Sequence, residues 1–143
     1  MAKYVKLDSD LIDDVPTQIN ESEILYLLHK KEINWNYVNA FKHLTDFNDD
    51  MISGWLNLSV KTFREYRKPN AVFKDNVKEH ILLLIALFKH GIRVFGDNNA
   101  FEKWLTTGNF YFDHKTPESF LNTVTGIRFT DDRLTAMEFG DNV

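Results

Sequence analysis

The sequence contains no cysteine, and this absence excludes disulfide bonds, thiolate nucleophiles and cysteine metal ligands. Long hydrophobic runs are missing as well. The longest, residues 81–88, has eight residues, whereas a helix that spans a bilayer needs about 20. Residues 1–6 lack the apolar segment of a signal peptide. We therefore expect a cytoplasmic protein without a membrane partner.

The motifs of common catalytic sites are also missing. No HExxH, GxGxxG, GKS/T or GxSxG motif occurs in the chain. Asp46-x-Asn48-x-Asp50 has the start of a calcium loop, but Met51 and Asn57 occupy the positions where such a loop needs glycine and glutamate. The five histidines have no metal-ligand spacing and are interpreted as surface or core residues: His29, His43, His80, His90 and His114. We expect no catalytic residue, no metal and no cofactor, and hence not an enzyme.

Apolar and aromatic residues, by contrast, are plentiful. The chain is 43% hydrophobic and contains 12 Phe, so its 143 residues can form a core of ordinary size. No Gly/Ser-rich linker or internal repeat divides it. This composition predicts one domain, or two small ones that share a core.

The charge is unevenly distributed along the chain. Residues 59–93 contain eight Lys and Arg against three Asp and Glu, whereas residues 94–143 contain four against eight. Residues 1–35 are also acidic, with four against seven. A basic middle between acidic ends is compatible with one element that faces DNA and one surface suited to a basic partner.

The first third of the chain has helical patterning after an acidic N-terminal arm, residues 1–20. Tyr4, Val5 and Leu7 predict either a short strand or an arm that is ordered only in a dimer. Ser22 is the predicted N-cap of a helix over residues 23–31. Asn34 is expected to open the next helix, because apolar residues follow it at helical spacing: Tyr37, Val38, Phe41 and Leu44.

Residues 48–68 have the pattern of two short helices separated by a tight turn. Asn48 or Asp49 caps the first, Asn57 is suited to a left-handed turn, and Ser59 caps a second helix that runs to Lys68 before Pro69. This pattern predicts a helix-turn-helix. Val60 and Phe63 should point inwards. The predicted DNA-binding residues are Ser59, Lys61, Thr62, Arg64, Glu65, Arg67 and Lys68, for which a solvated helix face is the alternative.

A long helix is predicted over residues 75–95, and we call it the spine helix because both halves of the chain are expected to pack on it. It should be about 30 Å long. Gly96 ends it and Asp97 caps the next helix. Thr116-Pro117 opens a short turn, and a last helix starts at Thr123 or Thr125, runs through Met137 and ends at Gly140. The predicted fold class is all-α, with a helix-turn-helix-containing N-terminal part joined by the spine helix to a small C-terminal helical module.

The last helix and the tail place an aromatic residue and a methionine beside charges at the end of the chain. Aromatic residues and Met are enriched in interface cores. We therefore predict a partner-binding surface there, with docking on the spine helix as the alternative. The residues of this surface are Arg128, Asp131, Asp132, Arg133, Met137, Glu138, Phe139 and Gly140.

Four segments that follow one another along the chain carry a family resemblance over residues 32–143, about three-quarters of the chain. They are LSVKTFREYRK, FGDNNAFEKWL, KTPESFLNT and GIRFTDDRLTAMEFG. In this order they resemble the Xre/MbcA/ParS-type antitoxins of bacterial type II toxin–antitoxin systems. The chain departs from the family pattern at Asn57, where the turn usually has glycine, and over residues 107–113, which replace a loop with proline and a Leu-Gly pair.

The resemblance implies a DNA-binding domain over residues 21–93 and a toxin-binding domain over residues 94–143. The toxin in such pairs commonly has a RES domain that consumes NAD⁺, and the antitoxin covers its active site. The resemblance further implies binding to operator DNA, which represses the operon itself. One monomer holds few phosphates, so we expect a homodimer.

Two other interpretations fit the same residues. In the first, the protein is a stand-alone helix-turn-helix transcription regulator whose C-terminal module serves dimerisation or sensing. In the second, it is an adaptor that has lost DNA binding.

Overall fold

The computed structural model describes residues 8–140, with side chains from Leu11 onwards. Within this range every regular element is helical, which confirms the predicted all-α fold. The predicted strand at residues 4–7 lies outside the described residues. The elements are two 3₁₀ turns, Phe110–Phe112 and Pro117–Phe120, and the helices α1 (Asp8–Asp14), α2 (Glu21–Lys30), α3 (Trp35–Leu44), α4 (Asp49–Trp55), α5 (Val60–Glu65), α6 (Asp75–Phe95), α7 (Asn98–Leu105) and α8 (Val124–Glu138).

Helices α2 and α3 begin at asparagine caps. The side chain of Asn20 accepts a hydrogen bond from the backbone N–H of Glu23, at 3.1 Å. The predicted cap at Ser22 is wrong, because its hydroxyl instead donates to the side chain of Asn20 at 2.9 Å. The predicted cap at Asn34 is confirmed, since its side chain accepts from the N–H of Asn36.

α4 and α5 form the predicted pair of short helices across a turn. Asn57 has the expected left-handed backbone, with φ of 60°, and Ser59 caps α5 by accepting from the N–H of Thr62 at 3.1 Å. The predicted end of α5 at Lys68 is wrong, because the helix ends at Glu65. Beyond it, the N–H groups of Arg67 and Lys68 bond three residues back, in the tighter 3₁₀ pattern.

The spine helix, α6, has the predicted bounds and forms the centre of the fold. It packs against α2, α3, α7 and α8. Phe88, fully buried at its middle, makes edge-to-face contacts with Phe41 of α3 at 4.9 Å and Phe101 of α7 at 5.1 Å between ring centroids. The hydrophobic core therefore extends without a break from Val15 to Leu134.

Two side chains, one at the end of α4 and one in the turn after it, join this pair of helices to the C-terminal module. The indole N–H of Trp55 donates to the carbonyl oxygen of Glu118 at 3.0 Å. The side-chain amide of Asn57 donates to the carbonyl oxygen of Asn122 at 2.8 Å. In the part of the chain described, no helix is both long and apolar enough to cross a membrane.

Candidate functional site

The predicted DNA-binding residues lie mainly on the outer face of α5 and the turn that follows it. Phe63 is fully buried as predicted and contacts the ring of Trp35 edge-on, with centroids 5.1 Å apart, whereas Val60 is only half-buried. Thr62 is also half-buried, and its hydroxyl accepts from Ser59. The other members of the set are exposed: Ser59, Lys61, Arg64, Glu65, Arg67 and Lys68.

An acidic side chain from α4 lies beside this basic face. The Asp49 carboxylate is 3.4 Å from Arg64 Nε and 2.8 Å from Lys42 Nζ. The hydrogen bond from Lys42 is the main cause that lowers the pKa of Asp49, with a smaller contribution from Arg64. Asp49 therefore stays ionised and holds the Arg64 side chain against α4, while Lys61 extends from α5 and Lys68 from the turn that follows it.

α8 presents one face to the core and one to solvent. Ile127, Thr130 and Leu134 are fully buried. Asp131, predicted as a partner-binding residue, lies on this buried face and is only 6% exposed. One of its carboxylate oxygens is 2.7 Å from Nδ1 of His90, and the other accepts from the N–H of Ile19 at 3.4 Å. Asp131 thus joins α8 to α6 and to the segment before α2, and it is absent from the exposed surface.

The end of α8 is fixed by a charged cluster. Glu138 bonds Nε2 of the buried His90 at 2.6 Å and pairs with Arg93 at 3.1 Å. Burial lowers the pKa of His90, but the hydrogen bonds to Asp131 and Glu138 outweigh burial and raise the pKa above its usual value. The hydrogen bond from His90 in turn lowers the pKa of Glu138. The last turn of α8 is therefore held against the spine helix.

The remaining predicted residues of the C-terminal surface differ in their contacts. Arg128 is exposed and lies 3.3 Å from the Glu21 carboxylate. Asp132 is exposed, whereas Met137 packs partly on the core. The guanidinium of Arg133 lies 3.6 Å from the centroid of the Tyr111 ring, a cation–π contact.

The end of the described chain exposes apolar surface. Phe139 is 85% exposed, and Gly140 follows it with φ of +94°. Six large hydrophobic side chains are exposed within residues 11–140, and half of them lie in the C-terminal module: Phe110, Phe129 and Phe139. Since burial of α8 against the spine helix still leaves these side chains in solvent, the module has apolar surface beyond what its own fold covers.

A groove on this module was not predicted from the sequence. It has a volume of about 390 Å³ and lies between the 3₁₀ turns and the start of α8. Phe112 contacts the rings of Phe120 and Phe129, with centroids 5.4 and 5.1 Å apart. In the sequence, the aromatic run Phe110-Tyr111-Phe112 is the signal for this groove, although by itself it indicates only a loop of unusual composition.

The C-terminal module is thus all-helical and leaves aromatic and charged side chains exposed. Residues 90–140 match the family model of the antitoxin Xre/MbcA/ParS C-terminal toxin-binding domain. The match covers a little over a third of the chain and confirms the resemblance to the Xre/MbcA/ParS-type antitoxins. Residues 90–140 are therefore similar to the toxin-binding domain of such antitoxins. No curated protein matches the chain.

Proposed function

We propose that this protein is an antitoxin that binds and inhibits a cognate toxin through residues 90–140 and represses its own operon through DNA binding by the α4–α5 pair. The single observation that carries the proposal is the match of residues 90–140 to the toxin-binding domain. We infer a bacterial cytoplasmic protein and a RES-type, NAD⁺-consuming toxin whose active site the antitoxin covers, because that pairing is common for the family that the chain resembles.

The exposed half of α8 supports the toxin-binding part of the proposal. Asp132 projects from α8 and Phe139 follows its last residue, while Leu134 and Asp131 hold the opposite face of the helix in the core. An aromatic side chain that is 85% exposed gains apolar burial when a partner covers it. Because the helix is already docked, binding does not have to order it, and the entropic cost of association is reduced.

The outer face of α5 supports the DNA-binding part. Lys61, Arg67 and Lys68 are exposed on the second helix of the pair and the turn after it, where a recognition helix meets phosphates and base edges. Few phosphates are within reach of one copy, so we propose a homodimer that spans two half-sites. Asp49 beside Arg64 reduces the local positive potential, which favours Lys61 and Lys68 as the principal phosphate contacts.

Co-expression with the product of the adjacent reading frame tests the proposal. We expect the neighbour alone to arrest growth, co-expression to restore it, and the two purified proteins to form a complex. A Phe139→Ser variant should restore growth less well. Substitution is preferable to deletion of the tail, because Leu134 is fully buried and Glu138 bonds His90, so that truncation would also disturb the fold. A neighbour that neither harms cells nor binds the protein would refute the antitoxin role.

A stand-alone transcription regulator is the second candidate, and the exposed basic face of α5 favours it. In that case promoter binding is required, while loss of Phe139 has no effect on growth. The double variant Arg64→Ala and Lys68→Ala would then abolish repression, and no toxic neighbour would exist. An adaptor without DNA binding would give no mobility shift with either the wild type or the double variant.

A further inference from the structure

The apolar groove of the C-terminal module lies between the two 3₁₀ turns and the first turns of α8. Phe112 is 2% exposed and forms its floor, while Phe129 is 42% exposed and forms one wall. The whole lining consists of Tyr111, Phe112, Asp113, Phe120, Thr123, Thr125, Gly126 and Phe129. Four aromatic rings among eight residues make a concave surface that is unfavourable to leave in water.

The groove is preformed by its backbone. A Cβ atom at Gly126 would overlap the carbonyl oxygen of Phe120, so glycine allows α8 to approach the second 3₁₀ turn closely. Asn109 holds the first turn, because its side chain accepts from the N–H of Tyr111 at 2.9 Å and its carbonyl oxygen accepts from the N–H of His114 at 2.8 Å. A rigid groove binds an apolar group without the cost of ordering its walls.

The chemistry of the lining disfavours a polar small molecule. The hydroxyl of Thr123 already accepts the N–H of Gly126 at 2.9 Å as the cap of α8. The lining has three other polar side-chain groups, which are the Asp113 carboxylate and the hydroxyls of Thr125 and Tyr111. Ligand sites usually place several converging polar groups within an apolar pocket. One carboxylate at the edge of four aromatic rings instead suits an apolar side chain that is followed by a basic one.

The groove is continuous with the predicted partner surface of α8. The guanidinium of Arg133 stacks on Tyr111, whose ring is one wall of the groove. Every lining residue falls within residues 90–140, the range that matches the toxin-binding domain. Residues 94–143 also carry eight acidic against four basic residues, so a basic partner is attracted to this module.

We propose, on the basis of the antitoxin function proposed above, that the groove is the main anchor point for the toxin, which inserts a large aliphatic or aromatic side chain flanked by a lysine or arginine. The side chain packs between Phe120 and Phe129, and its basic neighbour pairs with Asp113. Interface energy is commonly concentrated in such an anchor and its pocket. The exposed Phe139 and Asp132 then form the surrounding contacts.

Two variants and a control test this assignment by calorimetric titration with the purified product of the adjacent reading frame. Thr125→Trp fills the groove from an exposed position in the first turn of α8, and Phe129→Ser removes one wall. We expect each to weaken binding about tenfold or more. The matched control is Tyr26→Ala, because Tyr26 is an aromatic side chain 60% exposed on α2, outside the toxin-binding domain. It should bind like the wild type.

The outcomes separate this inference from the proposed function. A wild-type protein that does not bind the neighbour overturns the antitoxin function. A wild type that binds, with Thr125→Trp and Phe129→Ser equally tight, overturns the groove as anchor and leaves the function standing. A self-association abolished in Thr125→Trp, with unchanged toxin affinity, makes the groove an interface between copies and also overturns the inference. Should Phe129→Ser unfold, Thr125→Trp alone decides, because it leaves the core side chains intact.

Discussion

The imidazole of His90 is 2.6 Å from the carboxylate of Glu138, and this contact fixes the end of α8 to the spine helix. The other ring nitrogen faces Asp131 at 2.7 Å. A ring with a carboxylate at each nitrogen can donate to both only when both nitrogens carry a hydrogen, so the arrangement favours the imidazolium. Arg93 adds to the cluster by bonding Glu138, Thr17 and Gln18.

Stability should therefore depend on pH through His90. The pKa of His90 is raised in the folded protein. The stabilisation that the protonated imidazole gives to the folded state is therefore fully present below the unfolded pKa of about 6.5, and it is lost as the pH rises through the folded pKa. We expect the free energy of unfolding of the wild type, measured by urea titration, to fall as the pH rises above about 6.5. His90→Gln should be less stable at the lower pH and show a flatter profile. Parallel profiles for the two proteins would contradict this assignment.

Asn57 should show two separable contributions to stability. Asn57→Gly keeps the left-handed backbone but removes the 2.8 Å bond to Asn122, and should cost about 1 kcal/mol. Asn57→Ala removes the same bond and also places an alanine side chain at a φ of 60°, which adds about 1–2 kcal/mol. Chemical denaturation of both variants measures the difference. An alanine variant as stable as the glycine variant would show that the backbone conformation is unimportant there.

DNA binding, if mediated by α5, should change its dependence on salt when basic residues are removed. For a promoter fragment, the slope of log affinity against log salt should decrease by about 0.9 for each phosphate that the variant no longer neutralises. We expect this decrease for Lys61→Ala and again for Lys68→Ala. Lys103→Ala is the control, because Lys103 is an exposed lysine on α7, away from α5. Identical slopes for all three variants would remove α5 from the DNA interface.

Phe139 and Leu134 should separate binding from folding within the last helix and its end. Phe139→Ser alters a side chain 85% exposed and should change stability by less than about 0.5 kcal/mol, while toxin affinity falls. Leu134→Ala opens a cavity at a fully buried site and should cost about 2–5 kcal/mol. Thermal melts and toxin titration of the two variants provide the comparison. A Phe139→Ser protein with full affinity would exclude that ring from the interface.

Local signals in the sequence were sufficient for most of the helices. The spine helix, Asn34, Ser59 and Gly96 were predicted correctly, because capping and left-handed turns depend on residues within one helical turn. The prediction of Ser22 as a cap was wrong, because Asn20, two residues earlier, is also a good cap and the backbone begins the helix there.

Features that depend on distant partners were not predictable in the same way. Asp131 bonds His90, 41 residues away, and its charge made it resemble a surface residue. Its position in the buried series Ile127, Thr130, Asp131 and Leu134, which has helical spacing, was the available signal. The groove forms only where the two 3₁₀ turns pack against α8, and no local sequence pattern predicts that packing.

The hydrogen bonds of Trp55 and Asn57 to the backbone at Glu118 and Asn122 make the two halves of the chain depend on each other for their contacts. A fragment that stops at the end of the spine helix would leave the donors of Trp55 and Asn57 without their acceptors. It would also expose to solvent the apolar side of the spine helix that packs against α7 and α8. To test toxin binding and DNA binding separately, point variants of the full chain are therefore preferable to fragments. An exchange of one half for that of a related protein would also require transfer of Trp55 and Asn57 together with their partners.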